Sequence, residues 1–538
     1  MAEKCIEIGS RRELFLDNLM ISALKGASKV LHHPVMREEV FVLNAPDGRL
    51  SNCCNYLSLV EDGDRYLLYY RAGSVIYAPG VKEDTTPSSH VLCVAETYDG
   101  KHFTPCKVNL HPEGDNVVLN HDMTKDIPAD PEKNICPLVT TVFKDTNPAC
   151  PPEERFKMLV SDETSGWVWD DVGGYMPNGG IYLYVSADGY DFKRKSETYF
   201  DIKDRPCYDS ANLAFYDASI GEYRVYLRRY EKIYDKIRRT IMTCCTPDFI
   251  HFHDVQSLKF NTEFKKLFKE GQQLYTNNAM QYFRAPHIYL GFPARYCEVT
   301  DQWNESILNL PELDLRTFRA GWSLREGVAI TETVLMSSRD GFKFNGIGEA
   351  FIRPEIGAEG SGWIYGDVYM AHGIIPTKSD VGSAAPDEMS FYIIEGYARN
   401  KTTRLRRCSL RMDGFMSVRF PARGGRLETK LFTFEGDKLT LNISTSGFGR
   451  FKVAFLDEEN RMIPGYSLDD AIASPGDGLA LLPRWKGKGS DVSSLAGKKV
   501  RMIIEARDAD LYSFQFSAGK DKLVLPELKV HGEDCRWR

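Results

Sequence analysis

The sequence predicts an all-β protein in which a five-bladed β-propeller is followed by a C-terminal β-sandwich. Three observations lead to this prediction. A turn motif recurs at irregular intervals, short strand-like runs dominate the chain, and the pattern of strands changes near residue 420. We therefore divide the chain into a propeller with an N-terminal extension, residues 1–420, and a sandwich, residues 421–538.

The recurring motif places an Asp in a turn and an aromatic residue four positions later. Asp and Gly tolerate or cap the backbone angles of such turns, and the aromatic residue then begins a buried strand. A degenerate motif that returns at intervals of tens of residues is typical of modular β architectures. Irregular spacing favours propeller blades with insertions, which surround a central cleft. The four copies are Asp99 with Phe103, Asp188 with Phe192, Asp248 with Phe252, and Asp340 with Phe344.

Strand signals are short runs of aromatic and branched residues bounded by Gly, Asp, Pro or Asn. Grouping them with the turns gives five units, near residues 50–103, 138–192, 208–252, 278–344 and 363–411. Thr262–Phe268 is one of very few helix-like stretches. Beyond residue 424, short alternating strands separated by turns predict the sandwich. These strands are Leu439–Ile443, Phe451–Phe455, Val500–Glu505 and Leu511–Phe516.

Composition narrows the function classes. The net charge is −7, and no basic stripe interleaves with aromatic residues, so we expect no nucleic-acid partner. No apolar run approaches the ~20 residues of a membrane span, and the N-terminus lacks the apolar core of a signal peptide. The 13 cysteines form no C-x-x-C pair, which favours free thiols in a reducing compartment. We therefore predict a cytoplasmic protein, and the sequence leaves homo-oligomerisation open.

Several phrases of the chain are similar to a branch of propeller-plus-sandwich glycosyl hydrolases. The chain as a whole resembles the invertase- and levanase-like glycoside hydrolase family 32, and its propeller resembles the arabinanase- and xylosidase-like family 43. The resemblance implies a glycosidase with a carbohydrate substrate. The invertase-type Trp-Met-Asn-Asp-Pro-Asn start is absent. The matching phrases are Glu13–Asp17, Asp209–Asp217, Arg284–Ile288, Gly291–Tyr296, Ser338–Gly341 and Asp508–Phe516.

Glycoside hydrolysis needs two carboxyl groups that flank the scissile bond. In a propeller, acids at the ends of blade strands converge on the central cleft, so we predict four catalytic candidates. Asp47 precedes the first strand of blade one and also fits a Pro-Asp-Gly turn, while Asp209 precedes a strand of blade three and also fits a strand cap. Glu298 ends an apolar strand and also fits an ion pair with an arginine. Glu395 enters the cleft only if its strand is innermost.

Basic and aromatic residues near the same strand ends are candidates for substrate binding, because Arg binds sugar hydroxyls, carboxylates, sulfate or phosphate and aromatic rings stack on sugars. Each such Arg also fits a structural ion pair. His251 and His253 alternate on one strand without further ligand spacing, so we predict no metal site and no cofactor. The substrate-binding candidates are Arg71, Trp167, Arg228, Tyr275, Arg284, His287 and Arg295.

Three functions remain open at this point. The main prediction is a glycoside hydrolase that acts on an oligosaccharide with a pair of carboxylates. Cytoplasmic five-bladed propellers also include the mannoside phosphorylases of family 130, in which one acid suffices and phosphate replaces water. The third is a carbohydrate-binding propeller without catalysis, since a fold does not fix a function.

Overall fold

The structure of the chain is a computed structural model, and it describes residues 4–81, 90–120, 123, 140–161, 167–169, 175–177, 181–199, 206–207, 210–355 and 362–519. By its internal contacts the chain divides into two units. One comprises residues 31–415, and the other comprises residues 1–30 together with 416–538. Both are built from strands, as the sequence predicts. No helix within the described ranges is long and apolar enough to cross a membrane.

The chain begins with four short strands that belong to the second unit and one strand that belongs to the first. The four are β1 (Ile6–Gly9), β2 (Arg12–Leu14), β3 (Ile21–Lys25) and β4 (Ser28–Leu31). They are followed by β5 (Val35–Val42), which enters the propeller.

Within the described part of residues 31–415 there are five sheets of four or more strands, and each is one propeller blade. The first three blades follow the chain in order. Blade 1 contains β6 (Ser58–Asp62), β7 (Arg65–Ala72), β8 (Val91–Thr97), β9 (Thr104–Pro105) and β10 (Val117–Leu119). Blade 2 contains β11 (Thr140–Lys144), β12 (Phe156–Ser161), β15 (Ile181–Ser186) and β16 (Lys193–Tyr199), with an inserted hairpin of β13 (Trp167–Trp169) and β14 (Tyr175–Pro177). Blade 3 contains β17 (Pro206–Cys207), β18 (Leu213–Asp217), β19 (Glu222–Ile233), β20 (Lys236–Thr246) and β21 (His253–Ser257).

Blades 4 and 5 carry the helices and the ring closure. Blade 4 contains β22 (Lys259–Phe260), α1 (Thr262–Leu267), β23 (Gln273–Leu274), β24 (Met280–Tyr282), β25 (Ala285–Gly291), β26 (Ala294–Glu298), α2 (Leu313–Ala320), α3 (Leu324–Val328), β27 (Ala329–Ser338) and β28 (Lys343–Ile352). Blade 5 contains β29 (Ile375–Thr377), β30 (Glu388–Glu395) and β31 (Arg404–Arg411), and β5 pairs with β31. The ring is therefore closed by a strand from near the N-terminus.

Hydrogen bonds near the inner strands link every pair of neighbouring blades. In blade 5 the inner position is taken by residues 368–372, which bond to β30. Parts of all five inner strands line one central cavity of about 500 Å³, including Leu59, Val142, Phe215, Met280 and His372. The bonds between neighbours run from Val142 N to Ser58 Oγ (3.0 Å), Thr141 Oγ1 to Asn212 O, Asn277 Nδ2 to Ala211 O (3.0 Å), Asn278 Nδ2 to Met370 O (2.5 Å) and Leu59 N to His372 O (2.8 Å).

The recurring turn motif also joins blades. In blade 2, Ser186 Oγ accepts a hydrogen bond from the Gly189 amide (3.0 Å), and Asp188 Oδ1 accepts one from the Tyr190 amide (2.8 Å). The turn presents the Gly189 carbonyl outward, and Tyr69 of blade 1 donates its hydroxyl to it (2.8 Å). Equivalent tyrosine bonds reach Gly341 from Tyr226 (2.8 Å) and Gly100 from Tyr392 (2.6 Å).

The second unit is the β-sandwich. Its strands in the C-terminal part are β32 (Met416–Phe420), β33 (Gly425–Thr429), β34 (Phe432–Phe434), β35 (Lys438–Leu456), β36 (Asp477–Leu481) and β37 (Arg501–Ser517). The long strands β35 and β37 pair along their length and change register at two points. The strands β2, β3 and β4 join the same eight-stranded sheet, and β1 pairs with β34. An aromatic core that includes Phe434, Phe455, Trp485 and Phe516 fills the unit.

Candidate functional site

A cluster of buried tyrosines lies where the inner strands of blades 4 and 5 begin. Tyr275 precedes β24, Tyr296 lies on β26, and Tyr365 and Tyr369 flank the start of the inner segment of blade 5. The ring centroids of Tyr275 and Tyr365 are 6.0 Å apart, and those of Tyr296 and Tyr365 are 5.7 Å apart. The Tyr365 hydroxyl donates to the Tyr275 hydroxyl (2.9 Å). Together with Tyr397, whose ring lies 6.0 Å from that of Tyr365, these residues form what we call the tyrosine cluster.

Three arginines lie on the faces of these rings. Arg228 on β19 lies 4.8 Å from the Tyr275 centroid, and Arg239 on β20 lies 5.1 Å from the same ring. Arg239 also lies 5.2 Å from the Tyr296 centroid, and Arg325 on α3 lies 5.3 Å from that of Tyr365. Guanidinium groups at these distances are attracted by the ring quadrupole, so the tyrosines orient them. We call Arg228, Arg239 and Arg325 the arginine group.

One carboxylic acid is buried beside this cluster. Glu326 on α3 has 5% of its side chain exposed, and its Oε1 accepts a hydrogen bond from Arg325 Nη2 (2.7 Å). The second oxygen, Oε2, is buried and accepts no hydrogen bond within the described part of the chain. Burial raises the pKa of Glu326 above its ordinary value, although Arg325, Arg319 and Arg239 act in the opposite direction. A raised pKa favours the protonated form of the carboxyl group, which is the form that a general acid needs.

The segment between β26 and β27 contains α2, α3 and Glu326, and we call it the insertion. A buried arginine holds it in place. Arg319 on α2 is fully buried and donates four hydrogen bonds to backbone carbonyls. Because its partners come from the loop after β7 and from two segments of blade 5, Arg319 ties the insertion to both blades. The acceptors are the carbonyls of Tyr77 (3.2 Å), Tyr365 (3.1 Å), Tyr397 (2.6 Å) and Ala398 (2.8 Å).

An exposed aromatic pair lies at the same insertion. Trp322 lies two residues before α3 and is 60% exposed, and its ring meets that of Tyr77 edge to face at 6.4 Å. Tyr77 interacts electrostatically with Glu326 and Arg325. An exposed indole at this place offers a flat apolar face, which is the surface on which sugar rings stack.

The four predicted carboxylates occupy different environments. Asp47 forms an ion pair with Arg49 and accepts the Arg49 amide (3.1 Å) in an exposed turn. Asp209 lies outside the described residues, and the next residue, Ser210, is fully buried and donates its hydroxyl to the Tyr275 carbonyl (2.7 Å). Ser210 is therefore bonded to the backbone of the tyrosine cluster.

The two predicted glutamates also occupy different environments. Glu298 is exposed at the end of β26 and accepts the Tyr296 hydroxyl (2.7 Å), which places it at the edge of the tyrosine cluster. Glu395 pairs with Arg406 (2.7 Å), and its strand β30 is not innermost in the blade. The acid at the inner position of blade 5 is instead Asp367, which is fully buried between Arg399 (2.7 Å) and the Tyr397 amide (2.8 Å).

Of the predicted substrate-binding residues, the structure brings Arg228 and Tyr275 together in the cluster. Arg71 lies close to it, because its guanidinium donates to the Cys53 carbonyl (2.6 Å) and the Cys53 thiol contacts the Tyr397 hydroxyl (3.7 Å). Trp167 belongs to the hairpin of β13 and β14, and its side chain lies outside the description.

Three further candidates lie elsewhere in blade 4. Arg284 follows β24 and pairs with Asp413 (3.2 Å), at the opposite end of that strand from Tyr275. Arg295 pairs with Glu332 (2.6 Å) and donates to the Gly348 carbonyl (2.5 Å). His287 is half-buried on β25. The contacts described for these residues do not connect them to the tyrosine cluster, and their predicted roles stay predictions.

Sequence reasoning missed Glu326, Arg239 and Arg325. It searched for acids only at strand ends, whereas Glu326 lies on a short helix inserted between β26 and β27. The available signal was the stretch Leu313–Ala320, in which apolar and charged residues alternate at helical spacing. This pattern predicts a helix at a position where a blade would otherwise have a turn.

The two predicted histidines do not form a metal site with other described residues. They contain no group of three side chains suited to hold a metal ion. His251 pairs with Asp248 (2.7 Å) and His253 pairs with Glu222 (2.6 Å). These two histidines therefore have separate carboxylate partners on the surface.

No protein-family model matches the sequence, and no curated protein matches it. Among solved structures, an N-acetylgalactosamine deacetylase from F. plautii has a TM-score of 0.39 at 10% identity and covers 72% of this chain and 96% of its own. An endo-arabinase from Bacteroides thetaiotaomicron has a TM-score of 0.38 at 8% identity, covering 71% and 97%. An exo-inulinase from Aspergillus awamori has a TM-score of 0.36 at 10% identity, covering 90% and 98%.

Proposed function

We propose that this chain is a glycoside hydrolase that cleaves an oligosaccharide at the tyrosine cluster, with Glu326 as the general acid. The observation that carries the proposal is a buried glutamic acid with a raised pKa and one oxygen without a hydrogen bond. It stands beside aromatic rings where inner strands of the propeller begin. Perturbed acids of this kind cluster at catalytic sites.

In the proposed reaction, Glu326 donates its proton to the glycosidic oxygen as the bond from that oxygen to the anomeric carbon breaks. A second carboxylate stabilises or attacks the anomeric carbon, and water supplies the hydroxyl of the released sugar. Asp209 remains our prediction for this second role. The bond from Ser210 to the Tyr275 carbonyl supports it, because Ser210 is the next residue in the chain. Trp322 is our proposed platform for a sugar ring at the edge of the site.

The arginine group keeps a second enzyme class in consideration. An inverting phosphorylase needs one acid and a site for phosphate, and Arg239 and Arg325 are able to bind phosphate as well as a carboxylate or sulfate. A carbohydrate-binding protein without catalysis is the third alternative. These alternatives differ in whether phosphate is consumed and whether any sugar is released.

The test is a panel of aryl glycosides and oligosaccharides incubated with the purified protein, with and without orthophosphate. We expect release of sugar that does not depend on phosphate. Glu326→Gln should lower the rate by about 10²–10⁴-fold, the usual contribution of a general acid. Glu349→Gln is the matched control, because Glu349 is 67% exposed and pairs with Arg353 in the same unit.

Other results would point elsewhere. Release that requires orthophosphate and yields a sugar phosphate would identify a phosphorylase. Binding of sugars without any release would identify a binding protein. Wild-type activity in Glu326→Gln would refute the role of Glu326 even if hydrolysis were observed.

We also propose a cytoplasmic location. Ten cysteines in the described part of the chain are free thiols, which supports a reducing compartment. Expression with a fluorescent tag, followed by cell fractionation, would test it.

A further inference from the structure

Among the described residues, arginines outnumber acids at the tyrosine cluster. Arg228 and Arg325 both repel Arg239 electrostatically, so the three guanidinium groups lie within reach of one another. Two described acids contact this group or its rings: Glu326, which is buried and pairs with Arg325, and Glu298, which is exposed and accepts the Tyr296 hydroxyl. Three guanidinium groups therefore lie near two described acids at this site.

Two arginines also have donors that are not used. Arg239 donates to Gln273 Oε1 (2.9 Å) through Nη1, but its Nε is buried and has no acceptor in the described structure. Arg325 donates to Glu326 through Nη2, while its Nη1 is equally buried and has no acceptor there. A buried donor without an acceptor costs stability, and a charged one costs more. Such donors are expected where a ligand supplies the missing acceptor.

The tyrosine faces hold these groups in fixed planes. Arg239 lies over Tyr275 and Tyr296, and Arg325 lies over Tyr365, whose ring is 5.7 Å from that of Tyr296. A planar guanidinium in a fixed orientation is suited to donate to two oxygens of one carboxylate or sulfate. Recognition of neutral hydroxyl groups does not require this paired geometry.

We propose that Arg239 and Arg325 form a subsite for an oxyanion carried by the sugar, either the carboxylate of a uronic acid or a sulfate ester. This deepens the proposed function and rests on it for the expectation that a sugar occupies the site. The substrate is then an acidic glycan, and Arg228 adds to the positive field around the subsite.

The experiment measures binding rather than turnover, and it uses the full chain with Glu326→Gln so that no ligand is consumed. Isothermal titration compares glucuronic acid, galacturonic acid and glucose 6-sulfate with their neutral parents glucose and galactose, and includes orthophosphate. We expect at least one charged sugar to bind about tenfold or more tightly than its neutral parent, with an affinity that falls as salt rises. Adding Arg239→Gln or Arg325→Gln should remove that preference and leave the neutral sugars within about twofold.

The control for charge is Arg353→Gln, because Arg353 is 59% exposed and lies outside the cluster. It should leave the preference unchanged. Arg239→Lys separates folding from recognition: it keeps the charge but loses the planar fork, so it should retain the melting temperature and lose most of the preference.

Three results would overturn the inference: no charged sugar is preferred over its neutral parent, the arginine variants weaken charged and neutral sugars equally, or orthophosphate alone binds tightly. The inference and the proposed function fail separately. A preference for charged sugars in a protein that hydrolyses no glycoside would leave the subsite intact and refute the hydrolase. Hydrolysis without such a preference would refute the subsite and leave the hydrolase intact.

Discussion

Arg319 offers a direct test of how the insertion holds Glu326 in place. Replacing it with Met keeps the length of the side chain and removes four hydrogen bonds to the carbonyls of Tyr77, Tyr365, Tyr397 and Ala398. A buried acceptor that loses its donor costs about 1 kcal/mol or more, so four such losses amount to about 4 kcal/mol. Relief from burying a guanidinium offsets part of this cost. We therefore expect Arg319→Met to lower the free energy of unfolding by about 2–4 kcal/mol.

Hydrogen exchange with mass spectrometry locates the effect. Peptides that cover residues 73–78 and 396–399 should exchange faster in Arg319→Met, because the carbonyls of these segments lose their common donor. Arg319→Lys should give an intermediate result, since one ammonium group cannot reach all four acceptors. Arg353→Met is the control, and loss of its exposed contact with Glu349 should change stability by less than about 1 kcal/mol.

The reasoning would be refuted by an Arg319→Met protein with wild-type stability and wild-type exchange in both segments. Such a result would mean that the insertion is held by its other contacts and that the buried guanidinium contributes nothing net. If stability fell but hydrogen exchange became faster only outside residues 73–78 and 396–399, Arg319 would not link the insertion to these two segments.

Three further predictions concern stability. Gly189 has φ +82°, and an added Cβ would lie 2.7 Å from the Tyr69 hydroxyl, so Gly189→Ala should cost about 1–3 kcal/mol in thermal denaturation; Gly221→Ala, at φ +71° with no atom near, is the control, and an equal loss would contradict the contact. Because the pKa of Glu326 is raised in the folded state, the native state loses stability as pH rises through the unfolded pKa. Glu326→Gln should therefore gain stability relative to wild type between acidic and neutral pH. A stability difference that does not change with pH would disprove this. Burial lowers the pKa of His372 to about 4 from 6.5, so the wild-type protein should lose stability as pH falls through that window. His372→Gln should lessen the loss by about 1–2 kcal/mol, given the partly exposed ring, and identical acid titrations would refute it.

The blades were predictable because their signals are local. An Asp in a turn followed by an aromatic residue needs only neighbouring backbone groups, and in blade 2 Asp188 and Gly189 make those bonds as the motif requires. The predicted five-bladed ring and the sandwich are both confirmed. The ring closure was not predictable in this way, since β5 and β31 are far apart in sequence.

The site was harder to predict because its contacts are distant in sequence. Glu395 was selected because it ends a strand. Its side chain, however, forms an ion pair with Arg406 of the neighbouring strand β31, and this pairing is not visible in the local sequence. Glu326 is positioned through Arg319, whose acceptors begin at Tyr77 and end at Ala398. Local sequence contains no record of such contacts, so a search limited to strand ends selected acids by position and not by burial.

The closing strand β5 has a consequence for how the protein is made. During synthesis, residues 35–42 leave the ribosome first among the propeller strands, yet their partner β31 begins only at residue 404. Likewise, β2 and β3 cannot pair until their partners β37 and β33 have been synthesised. Early strands with unpaired edges are prone to pair with other chains, and contacts so distant in sequence form slowly. We therefore expect nascent or truncated chains that end before residue 404 to need chaperone protection, while the exposed, charged residues of β5, including Glu38 and Glu39, oppose pairing between copies.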